Sequence, residues 1–287
     1  VRRIYFFDDG PGMFHDDEDR SMIRFALTWG GGTNHKNEDR EIGKFGFGLP
    51  NASISQCRKT SVYSCEDGKD WHVGFLDIDD MNEYGTINIP PVKKAKLPKF
   101  VEDWAKKNKI ETDCGTCVVW DNCDSLSTAT ASKLKEDLVF DFSMTYRKYL
   151  EYLSIYVDSN SPIEKLDPLF IDPEGKYYVE PSENKTDDNS SGGSRIMFDK
   201  TIDVKYWKDK NTSSANLSLI PDSAAMEDAK KQMLEPHGDM KDVAIGKIQV
   251  RVCRFPLGFA EEQERWRQDE FSSQRLNIRK HVRGFHY

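Results

Sequence analysis

The run Ile4-Tyr5-Phe6-Phe7-Asp8-Asp9-Gly10-Pro11-Gly12-Met13, followed later by Ile42-Gly43-Lys44-Phe45-Gly46-Phe47-Gly48-Leu49-Pro50, constrains this chain more than any other feature. Its four apolar strand formers predict a buried strand, and Asp8 stands where that strand ends. A carboxylate there is costly unless donors meet it, so it is either capped by backbone amides or kept for a ligand. Gly10 and Gly12 admit close backbone approach, and Pro11 stiffens the turn between them. In the second half, glycines at 43, 46 and 48 precede Pro50, which the pattern places at a first helical position. A glycine-rich loop feeding a helix N-terminus offers outward amides and a dipole suited to phosphate. Each half alone is common in surface turns, where a tight turn with a capping Asp is the plainer reading. The two halves in this order form a far more specific signal.

Asp8-x-Gly10-x-Gly12-Met13, a helix, a loop and then Gly43-x-x-Gly46-x-Gly48 resembles the second and third motifs of the GHKL ATPases. That superfamily takes in gyrase B, the large heat-shock chaperone ATPases, sensor histidine kinases, MutL and the Microrchidia proteins. Cys114-Gly115-Thr116-Cys117 resembles the Gly-Thr motif that closes this domain in MutL- and Microrchidia-like proteins. The resemblance implies ATP and Mg²⁺ as cofactors. It implies nucleotide contacts at Asp8, Gly10, Gly12, Met13, Gly43, Lys44, Phe45, Gly46, Phe47, Gly48 and Thr116. The chemistry is consistent, since adenine carries an amine donor and a ring acceptor that a carboxylate and a hydroxyl match. The polar stretch Gly30 to Asn37 corresponds to the family's ATP lid, although by composition alone it is a flexible loop. In the family a second-domain lysine reaches the γ-phosphate, and Lys280 is the candidate here, the one catalytic residue the resemblance supplies.

The family's first motif is a helix with a water-activating Glu and a magnesium-binding Asn, upstream of the motif-two aspartate. Only seven residues precede Asp8, and no Glu-x-x-x-Asn elsewhere sits in a suitable setting. Either that helix precedes Val1, as the non-Met start suggests, or the protein binds nucleotide without hydrolysing it. No general-base Glu and no metal ligand are therefore assigned.

The expected fold class is α+β. Segments 60–65 and 71–78 read as strands joined by a charged turn, with 85–89 as a third. This is an antiparallel sheet with helices on one face, matching the α/β sandwich that the resemblance implies. Helices are expected over His15–Trp29, after Pro50, and over Ala129–Leu153. The domains are read as 1–128, an ATP-binding domain, and 129–287, a transducer-like α/β domain. In the second, Ser154–Asp158, Thr201–Trp207, Gly246–Val252 and Leu276–Phe285 read as strands and Ser223–Leu234 as a helix, with Ser182–Ser194 an exposed polar loop.

With 287 residues, 31% charged and 37% apolar, the chain has the composition of a soluble globular protein, and it holds no eighteen-residue apolar stretch. Its net charge of −8 argues against non-specific nucleic-acid binding by the whole surface. The lysines at 93, 94, 96, 99, 106, 107 and 109 form the best local basic patch, read first as a solvated face and second as a DNA contact. Six scattered cysteines fit a reducing cytoplasm, and Cys114-x-x-Cys117 with Cys123 reads as packing rather than zinc. No Walker-type loop is present in the sequence, which argues against a P-loop enzyme. The sequence thus points to ATP binding with slow Mg²⁺-dependent hydrolysis. Lid closure and nucleotide-dependent homodimerisation in a DNA-related clamp would follow, with no membrane partner. The alternative is a chaperone or scaffold that uses nucleotide as a conformational switch.

Overall fold

The computed structural model describes residues 2–16, 21–30, 46–66, 68–85, 88–128, 130–181, 193–209 and 240–255. The chain divides into two compact units, Val1–Leu134 and Lys135–Tyr287.

The first unit is built on a five-stranded sheet of β1 (Arg3–Asp8), β2 (Lys59–Cys65), β3 (His72–Asp77), β4 (Lys93–Lys94) and β5 (Gly115–Asp121), in the order β1-β5-β2-β3-β4. Every pairing is antiparallel. Four helices accompany it: α1 (Met22–Leu27), α2 (Gly48–Ile54), α3 (Ile78–Tyr84) and α4 (Lys99–Asn108). Side chains alternate across the sheet, and each face has its own core. On one face Val62 and Leu76 pack with Ile23 and Leu27 of α1 and with Ile89 and Val92; Leu49 and Ile54 of α2 and Val118 close around them. Each fully buried aliphatic side chain there contributes about 1.5–3 kcal/mol. Gly74 lets α1 sit close, because a Cβ there would lie 2.9 Å from the Ile23 methyl. The opposite face carries Cys117 and Val119 under Leu97 and Val101, flanked by Tyr5, Phe7, Tyr63 and Trp71. The helices expected on one face are there, and α4 adds cover to the other.

Several elements differ in extent from the sequence reading. The helix expected over His15–Trp29 is only Met22–Leu27. Ahead of it His15 bridges to Ser21, and the Met22 amide donates to the Phe14 carbonyl. The helix α2 begins at Gly48, which puts Pro50 at its third position, where a missing N–H is still harmless. Of the strand expected over 85–89, residues 86–87 lie outside the described residues and no strand forms at 88–89. Just before it the chain turns into α3, whose amides at Asp79 and Asp80 donate to the Asp77 carboxylate, and Gly85 ends it at φ +61°.

The second unit opens within helix α5 (Ala131–Thr145), shorter than the expected Ala129–Leu153. Tyr146, Tyr149 and Tyr152 recur every third residue and meet edge to face, in turns that mix i→i−3 and i→i−4 backbone bonds. Ser154–Asp158 is not a strand; the Ile163 amide reaches the Ile155 carbonyl across a loop. Buried Leu166 and Phe170 pack with Phe140, Met144, Tyr177 and Phe255. Strands β6 (Arg195–Asp209) and β7 (Met240–Arg254) pair antiparallel in a ribbon that contains both expected strand segments. Of the exposed loop expected over Ser182–Ser194, residues 182–192 lie outside the described residues, while Gly193 and Ser194 are buried, against the expectation; the helix expected at 223–234 and the strand at 276–285 also lie outside the described residues. Among the described residues no helix is long and apolar enough to cross a membrane.

Candidate functional site

Strand register assembles the site. Asp8 on β1 stands opposite Thr116 on β5, Thr116 opposite Ser64 on β2, and Ser64 opposite His72 on β3. Directly opposed residues share a face, so these four form a polar row. Two residues along each strand lie Phe6, Val118, Val62 and Gly74, which places the row on the face that α1 and α2 cover.

Two glycines let three chain segments meet at this row. Gly12 has φ +76°, and a Cβ there would lie 1.9 Å from the Cys65 carbonyl oxygen. Gly115 has φ +131°, with its would-be Cβ 2.3 Å from the Asp8 carbonyl oxygen. Neither position accepts a side chain without moving main chain. The turn after β1 is then pinned: the Gly10 amide donates to Asp8 Oδ1 at 3.1 Å, and the Met13 amide donates to Ser64 Oγ at 2.8 Å. Ser64 Oγ also lies 2.9 Å from the Gly115 carbonyl and 3.0 Å from Thr116 Oγ1.

The electrostatics separate these groups. Ser64 and Thr116 are buried, whereas the Asp8 side chain reaches solvent. Protein around the Asp8 carboxyl still pushes its pKa above the usual carboxylate range by desolvation; the Gly10 amide opposes this and Asp9 adds to it. Among the described residues that amide is its one hydrogen-bond donor. The Cys117 thiol, buried on the other face, is pushed up to about 12 by desolvation and then by the Asp8 charge, so it is an inert packing group. At the far end of the row His72 meets the His15 ring with centroids 4.3 Å apart. Desolvation, then His15, lowers its pKa.

Beside Asp8 lies an apolar shelf. Phe6 and Trp120 meet edge to face at 4.7 Å, Phe6 remains 38% exposed, and the Trp120 indole N–H donates to Ser53 of α2 at 2.9 Å. A carboxylate and a hydroxyl beside aromatic surface suit a flat, amine-bearing heterocycle.

The second glycine segment is described in part. Gly46 takes φ +68°, Phe47 is 46% exposed, and Gly48 opens α2 with nothing within 4 Å of a would-be Cβ. Because α2 packs on the Asp8 face through Leu49 and Ile54, Gly46, Phe47 and Gly48 enter on that side of the sheet. Gly30 and Phe47, on either side of residues 31–45, lie close together, since a Cβ added at Gly30 would sit 3.1 Å from Phe47 Cζ. The Trp29 indole ties to Asn51 at 2.6 Å. Gly43, Lys44, Phe45, Lys280 and most of the expected lid lie outside the described residues. Of the remaining expected residues, Asp8, Gly10, Gly12, Met13 and Thr116 come together at the row.

Sequence reading missed Ser64, Phe6, Trp120 and His72 as members of this site. Ser64 did leave a trace, a small hydroxyl inside the strand run Val62-Tyr63-Ser64-Cys65. Among the described residues no group of three or more His, Cys, Asp or Glu side chains is placed to hold a metal ion. The exposed Lys106 and Lys107 end α4 on the face opposite Asp8, and Lys94 on β4 pairs with Asp70.

Residues 1–116 match the family model described as histidine kinase-, DNA gyrase B-, and HSP90-like ATPase. The match spans the motif-two turn, the glycine segment and the Gly-Thr pair, and the α+β fold of this unit agrees with it. It is a match to the superfamily at large and does not single out MutL or Microrchidia relatives. No curated protein matches the chain.

Proposed function

We propose that the row Asp8–Thr116–Ser64 binds the base of ATP. The observation that carries this reading is Asp8 itself, a strand-end carboxylate raised in pKa, with a single donor among the described residues and a hydroxyl beside it. Its free oxygen accepts from the purine amine, Phe6 and Trp120 supply the apolar shelf, and Thr116 supplies the neighbouring polar contact. The resemblance assigns the triphosphate to the segment from Gly43 through Lys44, Phe45, Gly46 and Phe47 to Gly48. Mg²⁺ enters with the triphosphate, and no described residue is assigned to it. Slow hydrolysis, lid closure and a nucleotide-dependent dimer in a DNA-related clamp are the wider role in this reading, supported by the motif resemblance.

Asp8→Ala tests the binding reading. Calorimetry is expected to show ATP affinity reduced at least about 100-fold, as when a charged recognition partner is removed. Unchanged affinity would sink the assignment. Sedimentation with and without a non-hydrolysable ATP analogue tests the dimer, and a sedimentation coefficient that does not move contradicts it.

A further inference from the structure

The geometry points to Ser64 as a positioning residue that fixes the polarity of Thr116, making the site selective for an amine-bearing base. The inference rests on the nucleotide reading above and adds to it the reason for that selectivity.

The argument is a proton count. A serine hydroxyl has one proton and accepts through its lone pairs. Ser64 Oγ has three neighbours, the Met13 amide at 2.8 Å, the Gly115 carbonyl at 2.9 Å and Thr116 Oγ1 at 3.0 Å. An amide only donates and a carbonyl only accepts. Ser64 therefore accepts from Met13 and gives its single proton to Gly115. The contact with Thr116 then has one consistent direction, with the Thr116 hydroxyl donating to Ser64. Ser64 is 1% exposed, so bulk water does not compete for these contacts.

With its proton committed, Thr116 presents only lone pairs to the Asp8 side of the row, so it does not donate to the ring acceptor that the motif pairing matched to a hydroxyl. Asp8 above its pKa is also acceptor-only. Two acceptors side by side suit a group with two N–H donors, which is what an exocyclic amine carries. A ring edge bearing a carbonyl, or no substituent, leaves at least one acceptor unmet, a heavy cost at a site built to receive donors. Ser64 also holds the Asp8–Met13 turn through the Met13 amide, so the same hydroxyl sets both the place of the turn and the polarity of its partner.

The test is the affinity ratio between ATP and purine riboside triphosphate, which lacks the 6-amine, measured by calorimetry on the full chain. Ser64→Ala is expected to lower this ratio by about tenfold, because Thr116 becomes free to rotate and donate. Ser64→Thr, which restores a hydroxyl, is expected to hold the ratio within about twofold, and Ser64→Ala combined with Thr116→Val is expected to fall no further than Thr116→Val alone. A general loosening of the fold would weaken both ligands together and leave the ratio alone, and an unmoved ratio in Ser64→Ala overturns the inference. A wild-type chain that binds neither ligand overturns the nucleotide reading instead. The unliganded wild-type protein gives a further readout: the Thr116 hydroxyl proton is expected to exchange slowly enough to be seen by NMR. Exchange as fast as that of a solvent-facing hydroxyl overturns the assigned direction.

Discussion

Each unit of this molecule is organised around an aspartate at the entrance to a turn, and the two carboxylates are treated in opposite ways. Asp167 in the second unit is buried and accepts from three backbone amides, Leu169 at 3.0 Å, Ile171 at 2.8 Å and Asp172 at 3.0 Å. Its capacity is spent on closing the turn that seats Phe170. Asp8 in the first unit reaches solvent, and Gly10 is its one hydrogen-bond donor among the described residues. Partial desolvation by the surrounding protein raises its pKa with little hydrogen bonding to compensate. The same residue type at the same kind of position thus serves as structural glue in one unit and as unspent binding capacity in the other. A carboxylate whose acceptor sites are filled by main chain has nothing left for a ligand.

That contrast is sharpest at Asp167. Replacing it by Ala strands three amides at once, and chemical denaturation is expected to show a loss of about 3 kcal/mol. Hydrogen exchange should place the loss in 166–172. A cost below about 1 kcal/mol would erase the distinction between the two aspartates.

A somewhat smaller effect is expected at Gly12, where the first unit does resemble the second in relying on main-chain fit. Gly12→Ala forces a Cβ against the Cys65 carbonyl at φ +76°, with an expected cost of about 2–3 kcal/mol and displacement of the Asp8–Met13 turn. Wild-type-like stability and ATP affinity together would show that the turn is not locked as described.

Which parts were legible in the sequence follows the same division. The turn at Asp8 was readable because its requirements are local: an apolar run, a carboxylate, and glycines at fixed offsets. Thr116 was readable through its Gly-Thr signature. Ser64 was not, because its role comes from antiparallel register linking residues 13, 64 and 116, and no local pattern encodes a register. The helix α3 at 78–84 went unread because Asp77 ends a strand and caps a helix at once, and the strand expected just after it is absent at its described positions 88–89. The long helix expected after residue 129 ends at Thr145 and continues as mixed i→i−3 and i→i−4 turns, a boundary that an unbroken apolar spacing does not mark. Ile89 still found its place in the core, whereas the apolar run Ile4–Phe7, expected as a buried strand, forms the edge strand β1, none of whose residues is fully buried.

Asp8→Asn tests the central claim most directly, in one experiment with two readouts. The raised carboxyl pKa means that ionised Asp8 costs stability at neutral pH. Its favourable contribution is fully present only below the ordinary carboxylate pKa and is lost as pH rises through the folded value. Asn keeps an oxygen for the Gly10 amide and removes the charge, so thermal unfolding at pH 7 without ligand is expected to rise by about 1–3 °C, with the gain vanishing toward pH 4. Saturating ATP should raise the melting temperature of the wild-type chain and leave that of Asp8→Asn unchanged. An Asn variant that is less stable at pH 7, yet still stabilised by ATP, would mean that Asp8 is a structural cap like Asp167 and would contradict the account.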